Sequence, residues 1–592
     1  MSIQEWIHRL EEGHWAKSVK LAAVILGFIT LALLYDFRCY RGFATQEAME
    51  NAQLARNISE GKGFVTDSIS PAGLYLLQHQ QKKHSFKPNE LIPDLATPPV
   101  YPVLIGGLMK ILPFHFTASE NPVYQPEQWI GLFNQLLLFT AALLLFRVAR
   151  RLFDTAVAWF STLIFLATDL YWRFSLSGLP TLWLIVLLLG ITWCLIHMEG
   201  GQREENAAPN RAWPWAVTIG LLLGLGALSR YSFGWLIIPV LVFIWCFAAQ
   251  QRVRLILATT IAFLVLLTPW LVRNYNLCGN GFGTAGYAVV QNTWAFPEDT
   301  FDHSSDLQTG LNRLQTELYI DKAIENIRDI VQNDLPKLGG NWISAFFLAG
   351  LFLPFRNPAL SRLRLFLLGS LALFVLVQAL GRTHLTGDSP DINSENLLIL
   401  FAPLVIIYGA GMILTLVEQA GIFTPTVKNT LLTSLGALLC APLLLSFMAS
   451  PPYPLTAPFF PAHIQRTAAW MNEREIIMTD IPAAVAWYGH RRSLLLSIDT
   501  SAEFDKVNKL MPVKAVYLTQ RTGDKHFQSR DIESPKSWER FLVGVWAHDE
   551  VPDGFPLWKA PAGYWPDQTF LSDRARWLEP SPSNAVGAGK KE

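Results

Sequence analysis

FATQEAMENAQLARNISEGKGF, residues 43–64, follows directly on an apolar segment, and this placement decides the fold. Thr45 suits a helix start, because its hydroxyl can accept a hydrogen bond from a free backbone N–H of the first turn. Alanines then recur at helical spacing, and Gly61 and Gly63 mark the end of the helix. The stretch predicts a weakly amphipathic helix against a membrane surface, with Glu47 in its first turn, where the helix dipole favours negative charge.

The composition places this helix in a membrane protein. Half of the 592 residues are hydrophobic (51%), and only 16% are charged, whereas soluble proteins carry about a quarter. Apolar runs of about 18 residues or more recur along the chain, which is typical of a multi-pass membrane protein. Basic and acidic residues balance at 47 each. This balance gives no indication of a nucleic-acid partner.

Apolar runs and their flanking charges predict eleven transmembrane helices. The segments are 21–35, 129–148, 156–171, 179–197, 213–228, 233–247, 255–272, 342–355, 365–380, 397–417 and 431–448. Short loops rich in Lys and Arg stay in the cytoplasm. We therefore expect a cytoplasmic N-terminus (1–20), a large first outer loop (36–128) and a location in the plasma (inner) membrane. Segment 100–113 is too short to cross and is interpreted as an interfacial helix in that loop.

The composition changes after the transmembrane domain, which we place at 21–450. Residues 451–579 alternate short strand and helix patterns, which indicates a small extracytoplasmic α/β domain. The tail 580–592 is rich in Ser, Pro, Gly and Lys and is predicted to be disordered. The expected fold class is thus mainly α, a polytopic membrane protein with a small C-terminal α/β domain.

Polar and aromatic residues gather at the predicted outer ends of the helices. They are Glu47, Tyr101, Asp169, Arg230, Tyr231, Trp270, Arg273 and Asn274. Arginine matches phosphate oxygens with two parallel hydrogen bonds. A carboxylate can take a proton from an acceptor hydroxyl as the anomeric carbon of a sugar is displaced. The set therefore suits a phosphorylated lipid whose head group is held and attacked.

Three motifs in order resemble the GT-C glycosyltransferases, in particular the protein mannosyltransferase and aminoarabinose-transferase group. They are Gln46-Glu47 at the start of the first loop, PPVYPVL at 98–104 and TPWLVRNYNLCGNGFG at 268–283. The resemblance covers roughly residues 20–450. It implies an enzyme that uses a polyprenyl-phosphate-linked sugar at the outer face, with a lipid, glycan or protein as acceptor. It also implies that no nucleotide or soluble cofactor is needed.

We assign roles on this basis. Glu47 or Asp169 is expected to be the catalytic base or to orient the acceptor, and Arg230, Arg273 and Asn274 are expected to bind the donor phosphate. Tyr101, Tyr231 and Trp270 are expected to contact other parts of the substrates.

One departure leaves alternatives open. The family usually has an acidic residue where this chain has Gln46, which cannot take a proton. Glu47 could instead only complement the helix dipole, and Asp169 could form an interfacial ion pair with Arg173. The arginines could extend to lipid head groups, and the aromatic residues could belong to an interfacial belt. A degenerate scaffold or lipid-binding subunit is thus a second hypothesis, and a transporter is a third.

Overall fold

The structure is a computed structural model. It describes residues 14–87, 89–118, 123–203, 212–248, 251–339, 342–351, 357–419, 425–448, 455–524, 536–548, 551–552, 554–559 and 568–578. The predicted disordered tail, 580–592, and the N-terminal residues 1–13 lie outside these ranges.

Helices make up most of the described chain. In chain order they are α1 His14–Cys39, α2 Gln46–Ser59, α3 Pro71–Gln81, α4 Val100–Ile111, α5 Gln125–Leu152, α6 Thr155–Ala167, α7 Asp169–Leu176, α8 Thr181–Arg203, α9 Trp213–Ala227, α10 Ile237–Phe247, α11 Arg252–Cys278, α12 Thr300–His303, α13 Leu307–Leu311, α14 Thr316–Asp329, α15 Leu335–Lys337, α16 Trp342–Gly350, α17 Pro358–Gly381, α18 Leu385–Asp388, α19 Ala402–Gln419, α20 Pro425–Met448, α21 Pro461–Ala468, α22 Pro482–Gly489, α23 Ala502–Leu510, α24 Gln520–Asp524 and α25 Trp538–His548. Short 3₁₀ turns are Tyr231–Leu236, Gly283–Tyr287, Leu397–Phe401 and Arg576–Leu578, and a π-helical turn is Ile330–Asp334.

Seven helices of the described chain are long and apolar enough to cross a membrane. They are Leu21–Cys39, Gln125–Leu152, Thr181–Glu199, Arg252–Cys278, Pro358–Gly381, Leu397–Gln419 and Thr430–Met448. The pair α6 and α7, bent by 56°, makes an eighth if it counts as one span. The other three predicted segments are shorter helices in the described residues, so the count of eleven stays a prediction. The chain is a multi-pass membrane protein.

Glycine allows helices α9 and α11 to pack closely together. A Cβ on Gly220 of α9 would lie 2.3 Å from the carbonyl oxygen of Thr259 in α11. Only glycine allows the two backbones to approach so closely. A glycine also allows the predicted interfacial helix α4 to pack closely on α2, since a Cβ on Gly106 would lie 2.8 Å from the carbonyl oxygen of Ala55. Helices α2 and α4 of the first loop are therefore packed closely together.

The strands form a small mixed sheet and a two-stranded ribbon. In chain order they are β1 Val65–Thr66, β2 Ser68–Ile69, β3 Ile92–Pro93, β4 Ile476–Thr479, β5 Arg492–Leu495, β6 Val513–Leu518, β7 Trp558–Lys559 and β8 Thr569–Ser572. The sheet order is β2-β5-β4-β6-β8-β7, and β1 pairs with β3. Strands β4, β5 and β6 lie where the alternating pattern predicts them.

Strand β2 joins a sheet that the sequence predicts only from C-terminal residues. It comes from the first loop and pairs parallel to β5, with Ser68 opposite Ser493 and Ile69 opposite Leu494. The first loop and the C-terminal region therefore share one sheet rather than meeting as separate modules. The cavity described below lies where they meet the membrane helices.

Two buried charged residues tie the first loop to helix α22. Arg56 of α2, only 2% exposed, donates to the carbonyl oxygens of Ala486 and Trp487, both at 2.9 Å. Glu127 accepts hydrogen bonds from the backbone N–H of Phe43 at 2.9 Å and from the indole N–H of Trp487 at 3.1 Å. Buried charges are tolerated only when they are bonded in this way.

Replacement of Arg56 tests this connection. Arg56→Met is expected to lower the free energy of unfolding by about 2–4 kcal/mol, because it leaves two buried carbonyl groups without donors. The measurement is the thermal unfolding midpoint of the purified protein in detergent, which should fall by several degrees. The matched control is Arg313→Met, since Arg313 is exposed. An equal midpoint for both variants would contradict the prediction.

Candidate active site

A cavity of about 1180 Å³ lies at the junction of the membrane helices, the first loop and the mixed sheet. One part is lined by apolar side chains of the membrane helices, among them Phe263 and Leu267 of α11 and Leu373 and Leu376 of α17. The other part is lined by polar groups of the first loop, the loop after α11 and the C-terminal region. The cavity thus combines an apolar arm and a polar arm.

Glu47 of the first loop and Arg230, which follows membrane helix α9, form an ion pair in the lining of the cavity. Atom Nη1 of Arg230 lies 3.2 Å from Oε1 of Glu47. Their side chains are 18% and 19% exposed, so both are accessible from the cavity. Ser394 links the pair, because its hydroxyl donates to Glu47 and accepts from Arg230. A predicted catalytic residue and a predicted phosphate-binding residue are thus in direct contact.

Local structure explains the position of each partner. The Thr45 hydroxyl accepts a hydrogen bond from the backbone N–H of Ala48, as the sequence predicts, so α2 begins with Glu47 in its first turn. Arg230 follows the end of α9 in an extended conformation. The PPVYPVL turn is held beside it, because the N–H of Val100 donates to the carbonyl oxygen of Leu228 at 2.9 Å.

Ser394 is a site residue that sequence reasoning missed. It precedes Glu395, whose carboxylate accepts hydrogen bonds from the backbone N–H and hydroxyl of Thr383 and from the hydroxyl of Thr386 at 2.7–3.1 Å. These bonds close the loop after α17 and fix Ser394 against the ion pair. The only available signal was the polar loop itself, which carries no periodicity that points to Glu47.

A second carboxylate, Glu50, faces the same cavity one turn after Glu47. Its Oε1 accepts a hydrogen bond from the hydroxyl of Ser68 at 3.3 Å. Burial, and then the nearby carboxylates of Asp94 and Asp302, raises the pKa of Glu50 to about 8. Glu50 is therefore mostly protonated at neutral pH and can donate a hydrogen bond. Helix α2 thus presents two carboxyl groups in different electrostatic surroundings.

Asp94 forms another wall of the polar arm. It accepts a hydrogen bond from the backbone N–H of Thr97 at 2.7 Å. Burial raises its pKa to about 6, while the Thr97 N–H and the positive charge of Arg273 oppose that rise. At neutral pH Asp94 is mostly ionised. Its negative charge helps to keep the proton on Glu50.

The raised pKa of Glu50 predicts a pH dependence of stability. Between its ordinary value of 4.5 and about 8, the folded protein binds a proton that the unfolded chain does not. This contribution to stability is present at low pH and is lost as the pH rises through 8. The free energy of unfolding of the wild type should therefore be lower at pH 9 than at pH 6. Glu50→Gln should reduce this difference by about 2–4 kcal/mol. Thermal unfolding at the two pH values measures it.

The control for this measurement is Glu60→Gln, at a carboxylate that is 40% exposed and paired with Lys62 at 2.7 Å. It should leave the pH profile of the wild type unchanged. If Glu50→Gln and the wild type lose stability in parallel between the two pH values, Glu50 does not carry the proton.

Arg273 braces the first loop instead of facing the cavity. Its guanidinium donates to the carbonyl oxygens of Asp94 at 2.9 Å and Phe64 at 3.2 Å, and to Oδ1 of Asn274 at 2.8 Å. It also lies over the ring of Trp270, 4.4 Å from the centroid. Arg273, Asn274 and Trp270 do not belong to the described lining of the cavity. Their predicted contacts with substrate thus have no support from this geometry.

Tyr231 connects that brace to the cavity. It lines the cavity, and its hydroxyl accepts hydrogen bonds from the indole N–H of Trp270 at 2.8 Å and the amide of Asn274 at 3.2 Å. Tyr101, by contrast, is fully buried and donates to Oδ1 of Asn134 at 3.1 Å. The PPVYPVL turn acts through packing in this structure.

Asp169 lies apart from the described lining of the cavity. Its Oδ1 accepts a hydrogen bond from the hydroxyl of Tyr35 at 3.1 Å. Arg173, the partner considered from the sequence, pairs with Asp391 at 3.2 Å. A base must reach the proton that it removes, and this position gives Asp169 no contact with the site around Glu47.

Gln46 does line the cavity, and its side chain has a structural partner. Its amide N–H donates to the carbonyl oxygen of Asp480 at 3.2 Å. A carboxylate could not donate this bond and would face a carbonyl oxygen. The amide therefore helps to join α2 to the C-terminal region.

Comparisons with known proteins identify a similar family and a similar fold. Residues 96–272 match the family model described as dolichyl-phosphate-mannose-protein mannosyltransferase. The fold is similar to that of ArnT from Cupriavidus metallidurans in the apo state, at 12% identity, with a TM-score of 0.53 and coverage of 95% of this chain and 100% of that one. No curated protein matches the sequence.

The fold is also similar to the oligosaccharyltransferase AglB from Archaeoglobus fulgidus, solved with an inhibitory peptide and a dolichol-phosphate. The identity is 12%, the TM-score is 0.51, and the match covers 97% of this chain and 75% of that one. Identities this low establish the fold alone. The chain thus has the GT-C-like fold that its motifs predict and, over residues 96–272, is similar in sequence to the dolichyl-phosphate-mannose-protein mannosyltransferase family.

Proposed function

We propose that the protein is a membrane glycosyltransferase that moves a sugar from a polyprenyl-phosphate donor to an acceptor held in the polar arm of the cavity. The observation that carries this proposal is the Glu47–Arg230 pair, which lines a cavity that also has apolar walls from the membrane helices. The two halves of a lipid-linked sugar need these two environments, with a cation at the phosphate between them.

The apolar arm suits the isoprenoid chain. Trp235 and Leu376 contribute to the cavity lining and are also 52% and 53% exposed. Both belong to the helical membrane part, and the apolar arm is proposed to open to the lipid beside these two side chains. This supports entry of the donor from the bilayer, with its phosphate arriving at Arg230.

Arg230 is proposed to bind the phosphate and stabilise it as the leaving group. Binding competes with the ion pair, so the guanidinium would turn from Glu47 to the phosphate oxygens. The bond between the anomeric carbon and the phosphate oxygen breaks, and its electron pair leaves with the lipid phosphate. A bond from the acceptor heteroatom to the anomeric carbon forms in its place.

Glu47 is proposed to take the proton that the acceptor loses in this step. It lies beside Arg230, and donor binding would free its carboxylate. Glu50, protonated at neutral pH, is proposed to donate a hydrogen bond to a hydroxyl of the sugar. The C-terminal region contributes Asp480 and Trp538 to the lining of the cavity, and it is proposed to hold the acceptor there. By the charge distribution, this polar arm is proposed to face the extracytoplasmic side.

A second candidate function is that of a lipid-binding subunit without transferase activity. Gln46, at a position that is usually acidic in the family, favours it. Its bond to Asp480 favours the first candidate instead, because it gives the amide a structural reason that leaves Glu47 free to act. The two candidates predict the same lipid binding and differ in turnover.

Purified protein in nanodiscs, supplied with labelled polyprenyl-phosphate sugars and extracted envelope lipids or glycans, tests the proposal. We expect label to move from the donor to an acceptor and lipid phosphate to be released. Binding of undecaprenyl or dolichyl phosphate, with no transfer from any of the labelled sugar donors, would support the second candidate. If the protein neither binds the lipid phosphate nor transfers a sugar, both candidate functions are overturned.

A further inference from the structure

Helix α14 and the π-helical turn after it carry three distinct faces, and one of them is apolar and exposed. We infer that this face lies among the acyl chains of the bilayer, so that α14 is an interfacial helix at the membrane boundary nearest the cavity. The sequence predicts only a long polar loop here, and the inference does not rest on the proposed function.

The first face holds the helix on the protein. Lys322, 4% exposed, donates from Nζ to the carbonyl oxygens of Ala288 at 2.8 Å and Gln291 at 2.5 Å. The amide of Asn326 donates to the carbonyl oxygen of Ala379 at 2.7 Å. These bonds fix the rotation of the helix, so the orientation of its other two faces is set.

The second face is apolar. Ile320, Ile324 and Val331 are 53%, 62% and 50% exposed. Their spacing of four and seven residues brings them onto one line of a helix, as the 3.6-residue period requires. Ile327 lies on the same line, and a shallow groove between these side chains has Arg328 and Gln332 as its other lining residues. An exposed apolar stripe on an outer helix marks an interaction surface.

The third face is polar and lies next to the apolar stripe. It consists of Glu317, Asp321, Glu325 and Arg328, of which the first three are acidic. A helix with apolar and charged stripes side by side is typical of a membrane interface, where one stripe enters the lipid and the other stays in water. Because acidic residues predominate, we attribute binding to the apolar stripe and not to anionic head groups.

The position of α14 identifies lipid as the occupant. Ala379 belongs to the last turn of α17, a helix long and apolar enough to span the membrane. Arg382, directly after α17, bonds to Asp329 at the end of α14 and to Asp334 in the π-helical turn. The end of a spanning helix marks the boundary of the bilayer.

Spin-label accessibility on the full-length protein in nanodiscs tests this inference. The natural cysteines are replaced by alanine, and Ile324→Cys or Glu325→Cys is then labelled with a nitroxide. Neighbouring positions on one turn form a matched pair, since both side chains are exposed. We expect the label at 324 to be relaxed several-fold more by oxygen than by a water-soluble nickel chelate, and the label at 325 to show the reverse.

Two results would overturn the inference. Equal access of the nickel chelate to positions 324 and 325 would place the apolar stripe in water. Exclusion of both reagents from position 324 would show that a protein, either a second copy or another partner, covers it. A label at 331 (Val331→Cys) provides a second measurement on the same stripe and should follow position 324.

Discussion

Arg230→Gln is expected to weaken the binding of polyprenyl phosphate at least tenfold and to lower sugar transfer about 10²–10⁴-fold. The substitution removes the cation that pairs with Glu47 in the lining of the cavity. Charge that develops on the departing phosphate is then left without its counter-charge in a site partly shielded from water. Lipid binding by native mass spectrometry and transfer in nanodiscs measure the two effects separately.

Two variants serve as controls for this experiment. Arg173→Gln changes an arginine that is 41% exposed and paired with Asp391, away from the described cavity lining, and should leave both readouts near those of the wild type. Arg230→Lys keeps the charge but loses the second hydrogen bond to phosphate, so partial activity is expected. Wild-type transfer by Arg230→Gln would remove Arg230 from the mechanism.

Glu47→Gln is expected to separate binding from turnover. The rate of transfer should fall at least about 10²–10⁴-fold, because the amide cannot take the proton of the acceptor. Binding of polyprenyl phosphate should be unchanged or several-fold tighter, because the guanidinium of Arg230 no longer has a carboxylate partner 3.2 Å away. The expected pattern is therefore a low kcat with a KM for the donor that does not rise.

The matched control is Glu60→Gln, an exposed carboxylate directly after the same helix. It should leave kcat and KM close to the wild-type values. A rise in KM with kcat intact for Glu47→Gln would assign Glu47 to ground-state binding. Transfer at the wild-type rate would exclude it as the base, and the question would then return to Asp169.

Ser394 couples the two residues that these predictions change. Its hydroxyl holds the carboxylate and the guanidinium together in the state described here. Loss of either partner leaves Ser394 bonded to the other. The Arg230 and Glu47 variants therefore each disturb a three-residue unit, so their effects should not add when the two changes are combined.

Local pattern was sufficient for most of the secondary structure. Length and hydropathy identify the spanning helices, since each must cover the apolar core of a bilayer. Thr45 caps α2 as predicted, because capping depends on residues within one turn. The C-terminal strands β4, β5 and β6 also follow from local alternation. The alternation of spans further predicts that Glu47 and Arg230 share one face of the membrane, and the structure pairs them.

Partner choice could not be predicted in this way, because it depends on residues that are distant in the chain. Arg273 carries the same charge as Arg230 and lies at a predicted outer end, yet it braces the carbonyl groups of Phe64 and Asp94. Ser394 reaches Glu47 across 347 positions, and no local period signals that contact.

The sequence by itself therefore determined the class of protein, the position of the long apolar helices and most of the residues from which a site could be built. Tertiary structure alone decided which of them meet. Strand β2 shows why, since two residues of the first loop complete a sheet more than 400 positions away by backbone hydrogen bonds, which carry no side-chain signature. Burial then sets the chemistry, because it raises the pKa of Glu50, and the nearby carboxylates of Asp94 and Asp302 raise it further.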